Sequence, residues 1–195
     1  KKQVRAYGVK LRQGKLIFPL TDYNGVIYSY QTIAPNGDKR FLTGGAKKGH
    51  FFAIPGTDKI AICEGYATAA SVHMATGWTT VVAVDSGNLK SVAEVWRKNN
   101  QTANIVICGD NDSSGVGQEA AKNAADAIGA TVAIPLTVGS DWNDIMVANG
   151  LNAIKEAIEP SRQYQTKITD WGIDVYSGIA PEREWLIEAT IPAAS

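Results

Sequence analysis

Apolar and polar positions fall into two regimes along the chain. Up to about residue 56 they form short runs broken by turn signals. The runs at 15–20 and 26–30 flank Asp22-Tyr23-Asn24-Gly25, where Asn-Gly favours a tight hairpin. A second turn, Pro35-Asn36-Gly37-Asp38, leads to 39–42 and then to the loop Thr43-Gly44-Gly45-Ala46-Lys47-Lys48-Gly49. This pattern predicts a small antiparallel β unit. From Thr57 the apolar runs become continuous, predicting strands at 59–63, 80–84, 104–108 and 131–135. Helical composition and length predict helices at 67–75, 89–98 and 118–128 between them. Strand alternating with helix predicts an α/β domain with a mainly parallel sheet flanked by helices. In such a sheet both faces are covered and ligands sit beyond the carboxyl ends of the strands. Residues 161–195 show no sustained period and read as a linker or docking tail. The expected organisation is a β subdomain at 1–56, an α/β domain at 57–160 and the tail at 161–195.

Length and composition narrow the class. With 195 residues, 45% hydrophobic and 19% charged, the chain has the make-up of a globular protein and not of a disordered or fibrous one. No apolar run approaches the ~18–20 residues of a membrane helix, and no basic-then-apolar leader opens the chain. The expectation is a cytoplasmic protein with no membrane partner. Cys63 and Cys108 each end an apolar run, where free cysteine behaves as a small hydrophobe. Two cysteines are too few for a disulfide scaffold or a cysteine-rich zinc site.

The formal net charge of zero hides a polarity. Residues 1–50 carry ten Lys/Arg against two Asp/Glu, and the remainder carries nine against seventeen. One basic surface for a polyanion and one acidic region are the expected result.

Acid follows each predicted strand of the α/β part. Glu64 follows the first, Asp85 the second, Asp110 with Asp112 the third, and Asp141 and Asp144 come shortly after the fourth. A parallel sheet brings such positions to one edge. Glutamate is a poor turn former, so Glu64 directly after a buried strand is expected to face a cleft. Asp85 in Asp85-Ser86-Gly87-Asn88 fits a helix cap or a ligand equally well, and Asp141 fits an N-cap. Asp110-Asn111-Asp112 repeats a carboxylate at i and i+2, which on an extended segment places both on one side. Their repulsion calls for a cation, and a hard divalent ion suits carboxylate oxygens. Ser113-Ser114-Gly115-Val116-Gly117 then opens a helix, whose N-terminus favours phosphate. Together these features point to Mg²⁺ and phosphate chemistry. Tyr66 is expected to pack or stack rather than act as a nucleophile, and His73 lacks a ligand partner at suitable spacing. Lys47 and Lys48 in a glycine-rich loop suit phosphate, without Walker spacing.

The run Ile62-Cys63-Glu64-Gly65-Tyr66-Ala67-Thr68-Ala69, followed by Cys108-Gly109-Asp110-Asn111-Asp112-Ser113-Ser114-Gly115, resembles the Toprim domain of topoisomerases and primases. The resemblance covers about residues 57–158. It extends to primases of phages, plasmids and integrated elements through a preceding basic β segment, Lys39-Arg40-Phe41-Leu42-Thr43-Gly44-Gly45, and Asp141-Trp142-Asn143-Asp144. The ending from Arg183-Glu184-Trp185-Leu186 is similar to the lead-in to a helicase ATPase domain, although no Gly-x-x-x-x-Gly-Lys-Ser/Thr occurs. What the resemblance implies is the catalytic core of a DNA primase in a bacterial or phage-infected cell, making short primers from nucleoside triphosphates on single-stranded DNA. Its implied catalytic and metal residues are Glu64, Asp110 and Asp112, with support from Asp85 and Asp144, holding Mg²⁺ or substituting Mn²⁺. The implied nucleic-acid and nucleotide contacts are Lys39, Arg40, Gly44, Gly45, Lys47 and Lys48, and the implied partner is a helicase ATPase domain in a longer chain. Three alternatives stand beside it. A Toprim nuclease would turn the same carboxylates on water. A haloacid-dehalogenase-like phosphatase would use Asp110 as nucleophile, Lys122 as its partner and Asp141/Asp144 as metal ligands. A non-catalytic nucleic-acid-binding module would use the acids only as caps.

Overall fold

The computed structural model describes residues 2–159, so the tail at 161–195 and its expected ATPase connection lie outside the described residues. The first layer is an antiparallel sheet in the order β1-β2-β3-β4, formed by β1 (Lys10–Arg12), β2 (Lys15–Thr21), β3 (Ile27–Ile33) and β4 (Lys39–Phe41). Its turns follow from local chemistry. Gln13 and Gly14 both take positive φ, the backbone a two-residue hairpin requires. Asp22 folds the next connection by accepting Asn24 N–H and Val26 N–H on Oδ1, each at 2.9 Å. Alternation then sorts the side chains. Phe18, Leu20, Ser29 and Gln31 are buried on one face, with Ile33 and Phe41 packed against the core from the same side. Tyr28, Tyr30 and Arg40 are exposed on the other.

The second sheet runs β5-β7-β6-β8-β9. Its elements in chain order are β5 (Phe52–Ile54), β6 (Thr57–Cys63), α1 (Tyr66–Thr76), β7 (Trp78–Val82), α2 (Ser86–Asn99), β8 (Ile105–Cys108), α3 (Val116–Ile128), β9 (Thr131–Ala133), α4 (Trp142–Asn149) and α5 (Leu151–Ile158). β6 to β9 are parallel, and β5 adds an antiparallel edge beside β7. The expected mixed α/β architecture, with a parallel-rich sheet preceded by a small antiparallel one, is therefore what the chain adopts. Burial on both faces accounts for the continuous apolar strands. Ala61, Cys63, Val106 and Cys108 face one core with α1, α4, α5 and the inner side of the first sheet. Ile60, Ile62, Ile105 and Ile107 face a second core with α2 and α3.

Register fixes the functional edge. Cys63 lies opposite both Val82 and Cys108, and Cys108 lies opposite Ala133. Four strands thus end together, and the residues after them emerge side by side. The three-residue strands β1 and β5 and the eight-residue helices α4 and α5 escaped the sequence pattern because each is too short to show a period.

Candidate active site

Glu64 and Asp110 leave the ends of β6 and β8, neighbouring strands in matched register. Both carboxyls are raised from their ordinary values. For Glu64 the largest cause is burial, opposed by the Lys39 ammonium and reinforced by Asp85 and Asp112. Asp110 is pushed up to about 7, mainly by burial, then by Asp141 and Glu64. The Thr68 hydroxyl, donating to Asp110 Oδ1 at 3.1 Å, and Lys39 act in the opposite direction. Two desolvated carboxylates are thus set against each other with one lysine reaching them. That lysine comes from the other sheet: Lys39 pairs with Ile33 on β3, and a Cβ built on Gly65 would sit 3.9 Å from its Nζ.

Asp112 is placed differently. Its Oδ1 accepts Ser114 N–H at 2.9 Å and the Ser114 hydroxyl, and its Oδ2 accepts Gly117 N–H at 2.7 Å. These bonds hold its pKa below the usual value and tie it to the start of α3. A side chain at Gly117 would meet Asp112 Oδ2 at 2.6 Å, so glycine is what lets the carboxylate close on that amide. Asp110 and Asp112, two residues apart, therefore answer to different partners.

Asp85 and Asp144 both serve as helix caps. Asp85 Oδ1 accepts Asn88 N–H at 3.0 Å at the start of α2, and its Oδ2 is ion-paired with Lys47. Asp144 forms a reciprocal capping box with Asp141 at the start of α4. Lys2 Nζ lies 2.7 Å from a carboxylate oxygen of each. Val84, just before Asp85, has φ +73, a strained backbone for a β-branched residue, next to the end of the strand that neighbours Glu64.

The glycine-lysine loop is fastened to this edge. Lys47 reaches Asp85 and lies 5.3 Å from the Phe41 ring centre. Asn88, which the sequence pattern did not single out, is buried and ties the end of the loop, at two points, to the residue after β7. It accepts Gly49 N–H at 2.8 Å and donates to His50 O at 3.0 Å and Ala83 O at 2.8 Å. Gly45 packs on Ser29 so closely that a Cβ would lie 2.5 Å from its hydroxyl. Lys48 and Gly44 are exposed on the same loop. Arg40 is turned away, because strand alternation places adjacent residues Lys39 and Arg40 on opposite faces of the first sheet.

Other candidates have packing roles. The Tyr66 hydroxyl donates to Arg5 O at 3.1 Å and accepts Tyr7 N–H at 2.8 Å, fixing the N-terminal segment against α1. His73 Nδ1 lies 2.8 Å from Trp78 O, and its ring meets Tyr7 edge to face.

Among the described residues no three His, Cys, Asp or Glu side chains lie close enough to hold one ion together. The pair Glu64 and Asp110 nevertheless fits a hard divalent cation chemically. Both offer oxygen donors whose ionised forms are disfavoured by burial and, for Asp110, by the neighbouring Glu64 charge, a penalty that a cation would remove. Thr68 tests this balance independently of activity. Thr68→Val removes a hydrogen bond to the ionised form of Asp110, so the Asp110 carboxyl should titrate at higher pH by ¹³C NMR of metal-free protein. An unchanged titration would mean that the hydroxyl does not tune this group.

Residues 59–152 match the family model described as the Toprim domain. The chain is 38% identical over 135 residues to DNA primase TraC of Escherichia coli, covering 63% of this chain and 13% of that protein. A second Escherichia coli DNA primase TraC is 37% identical over 139 residues, covering 64% of this chain and 10% of the relative. The chain thus spans only about an eighth or less of the length of these curated relatives. Among solved structures, the primase fragment of the bacteriophage T7 primase-helicase protein superposes with a TM-score of 0.58 at 16% identity, covering 77% of this chain and 66% of that one. The Aquifex aeolicus primase, with its zinc-binding and RNA polymerase domains, gives 0.60 at 17% identity, covering 76% and 40%. The DnaG primase catalytic domain bound to ssDNA gives 0.54 at 14% identity, covering 78% and 57%. The fold is that of primase catalytic cores, and the resemblance to Toprim is borne out by the family match.

Proposed function

We propose that this chain, homologous to DNA primase TraC and carrying the Toprim match, is the catalytic core of a DNA primase. It joins nucleoside triphosphates into short primers on a single-stranded DNA template, as a nucleotidyltransferase. Residues 1–56 form its basic β subdomain, apart from β5, which joins the sheet of the catalytic α/β domain at 57–160, and 161–195 lead toward a helicase ATPase domain in a longer chain. The single observation that carries this reading is the destabilised pair of Glu64 and Asp110 at the common strand edge, faced by Lys39 from the basic sheet. Among the described residues no helix is long and apolar enough to cross a membrane. A bacterial or phage-infected cytoplasm is the setting such a primase would occupy.

Glu64 and Asp110 are the residues that would hold a divalent cation, Mg²⁺ with Mn²⁺ as substitute. When bound, that ion supplies neutralisation of the triphosphate and polarisation of the attacking 3′-hydroxyl. Asp112 is the third carboxylate of the set and acts from the mouth of α3, while Asp85 and Asp144 support the edge through their caps. Thr68 fixes the Asp110 carboxyl by its hydrogen bond and biases it toward the ionised form. Lys39 offers its ammonium to nucleotide phosphate, and the loop carrying Gly44, Gly45, Lys47 and Lys48 is held where it can follow the template backbone.

The test is to incubate the chain with single-stranded DNA, Mg²⁺ and labelled nucleoside triphosphates, with ATP-only and no-template controls. Template-dependent short oligonucleotides are expected. Shortened template without new product would identify a Toprim nuclease instead, and neither product would overturn the catalytic reading.

The basic loop gives a separate prediction. The double change Lys47→Gln and Lys48→Gln should flatten the slope of log K against log salt for single-stranded DNA by roughly one, since each phosphate neutralised on a single strand contributes about −0.7. Fluorescence anisotropy across a salt series measures it. A slope indifferent to the double change would remove this loop from the DNA track.

A further inference from the structure

The outward face of the first sheet takes no part in the site described above. The four strands β1 to β4 hold five basic residues and no Asp or Glu. Cross-strand register arranges their outward side chains in rows. Lys10, Ile17, Thr32 and Arg40 follow one another across the sheet. The next row on the same face joins Pro19 to Tyr30, with Leu42 beside them through its N–H bond to Tyr30 O. Tyr28 stands two residues from Tyr30 on that face. Tyr28 is 44% exposed, Tyr30 37% and Leu42 40%, a contiguous apolar surface beside cations, with His50 stacked against one side of Tyr28.

From this arrangement we propose that the exposed face of the antiparallel sheet is a stacking platform for unpaired bases of single-stranded nucleic acid, with Tyr28 and Tyr30 as its aromatic contacts and Lys10 and Arg40 on the flanking phosphates. Charge selects the occupant: a face with cations and no carboxylate suits a polyanion and repels a second copy of itself. Tyr30 sits in regular pairing opposite Pro19, and Tyr28 falls at the register shift opposite Leu20 and Thr21, where a bulged strand presents an exposed side chain. His50 stacks on Tyr28, with ring centres 4.1 Å apart and 26° between planes, and so holds the tyrosine ring in a fixed orientation while it stays 44% exposed. Aromatic stacking interleaved with basic side chains is sequence-tolerant, as a strand read only for its template role requires.

The proposal rests on the single-stranded DNA reading above, and the test separates the two. A fluorescein-labelled oligothymidylate and the same phosphodiester backbone made abasic are titrated onto the chain, its Tyr28→Ala/Tyr30→Ala variant and its Tyr28→Phe/Tyr30→Phe variant. The parent chain should bind the oligothymidylate roughly tenfold to a hundredfold more tightly than the abasic strand. The alanine variant should lose that discrimination and leave the salt slope unchanged, because no charge has been removed. The phenylalanine variant should retain it, and both variants should melt with the parent since the rings are exposed. If the parent chain discriminates and the alanine variant does so equally, the platform is overturned while DNA binding stands. If the parent chain binds neither strand, the template reading falls and the platform with it.

Discussion

Replacing Asp110 by Asn should lower primer synthesis by ~10²-fold or more while making the metal-free protein harder to unfold. The two effects share one cause. Asp110 titrates at about 7 in the folded chain against an ordinary value of 3.8. Between those values the folded state keeps a proton that the unfolded chain has already released, so stability falls as pH rises through that window. Asparagine cannot ionise. The variant should therefore match the parent near pH 4 and exceed it progressively up to about pH 7, by an amount of order a few kcal/mol. Urea unfolding in the presence of chelator, at several pH values, measures this. Added Mg²⁺ should stabilise the parent and have little effect on the variant. Glu64→Gln should show the same loss of activity, because Glu64 contributes the other half of the pair. An Asp110→Asn protein that still makes primers would remove this carboxylate from the chemistry.

The second large effect concerns stability. Trp142 is 1% exposed in the core between the parallel sheet and α1, and its indole N–H donates to Gly109 O at 3.0 Å. Gly109 is the residue through which β8 delivers Asp110. Trp142→Ala removes a large buried ring and leaves that carbonyl without its partner, which should cost about 3–5 kcal/mol. Against the ~5–15 kcal/mol that holds a typical domain together, this is a substantial fraction. Trp142→Phe keeps most of the volume and loses only the hydrogen bond, so it should cost less than half as much. Equal midpoints and slopes for parent and alanine variant in chemical unfolding would show that the ring carries no such role.

Asp141-Trp142-Asn143-Asp144 illustrates how far residue types alone can be read. As a motif it drew attention to Asp144 as a supporting ligand. In the fold Asp144 closes a capping box, while its neighbour Asn143, fully buried, donates to Gln3 O and to the Ser71 hydroxyl, each at 2.9 Å. The motif's buried members join segments far apart in the chain, a role that no local pattern displays.

The sequence by itself determined the alternation of strand and helix and the edge at which the acids emerge. Short continuous apolar runs such as 105–108, alternating with helical stretches, fit strands covered on both faces, and parallel strands carry the residues that follow them to one side. The 46-residue separation of Glu64 and Asp110 suits nearby strands, and the structure pairs β6 directly with β8 in matched register. Only the tertiary structure decided how each carboxylate is partnered. Asp85, Asp112 and Asp144 are the same kind of donor as Asp110, yet each is satisfied by a helix start or a lysine, and Asp110 is left half-desolvated against Glu64. The reach of Lys39 from the antiparallel sheet to that pair, while Arg40 turns outward, likewise depends on how two sheets pack. Covalent order fixes which groups a chain owns, but the free energy of a charge is set by the dipoles, ions and water around it, and those come from segments distant in sequence.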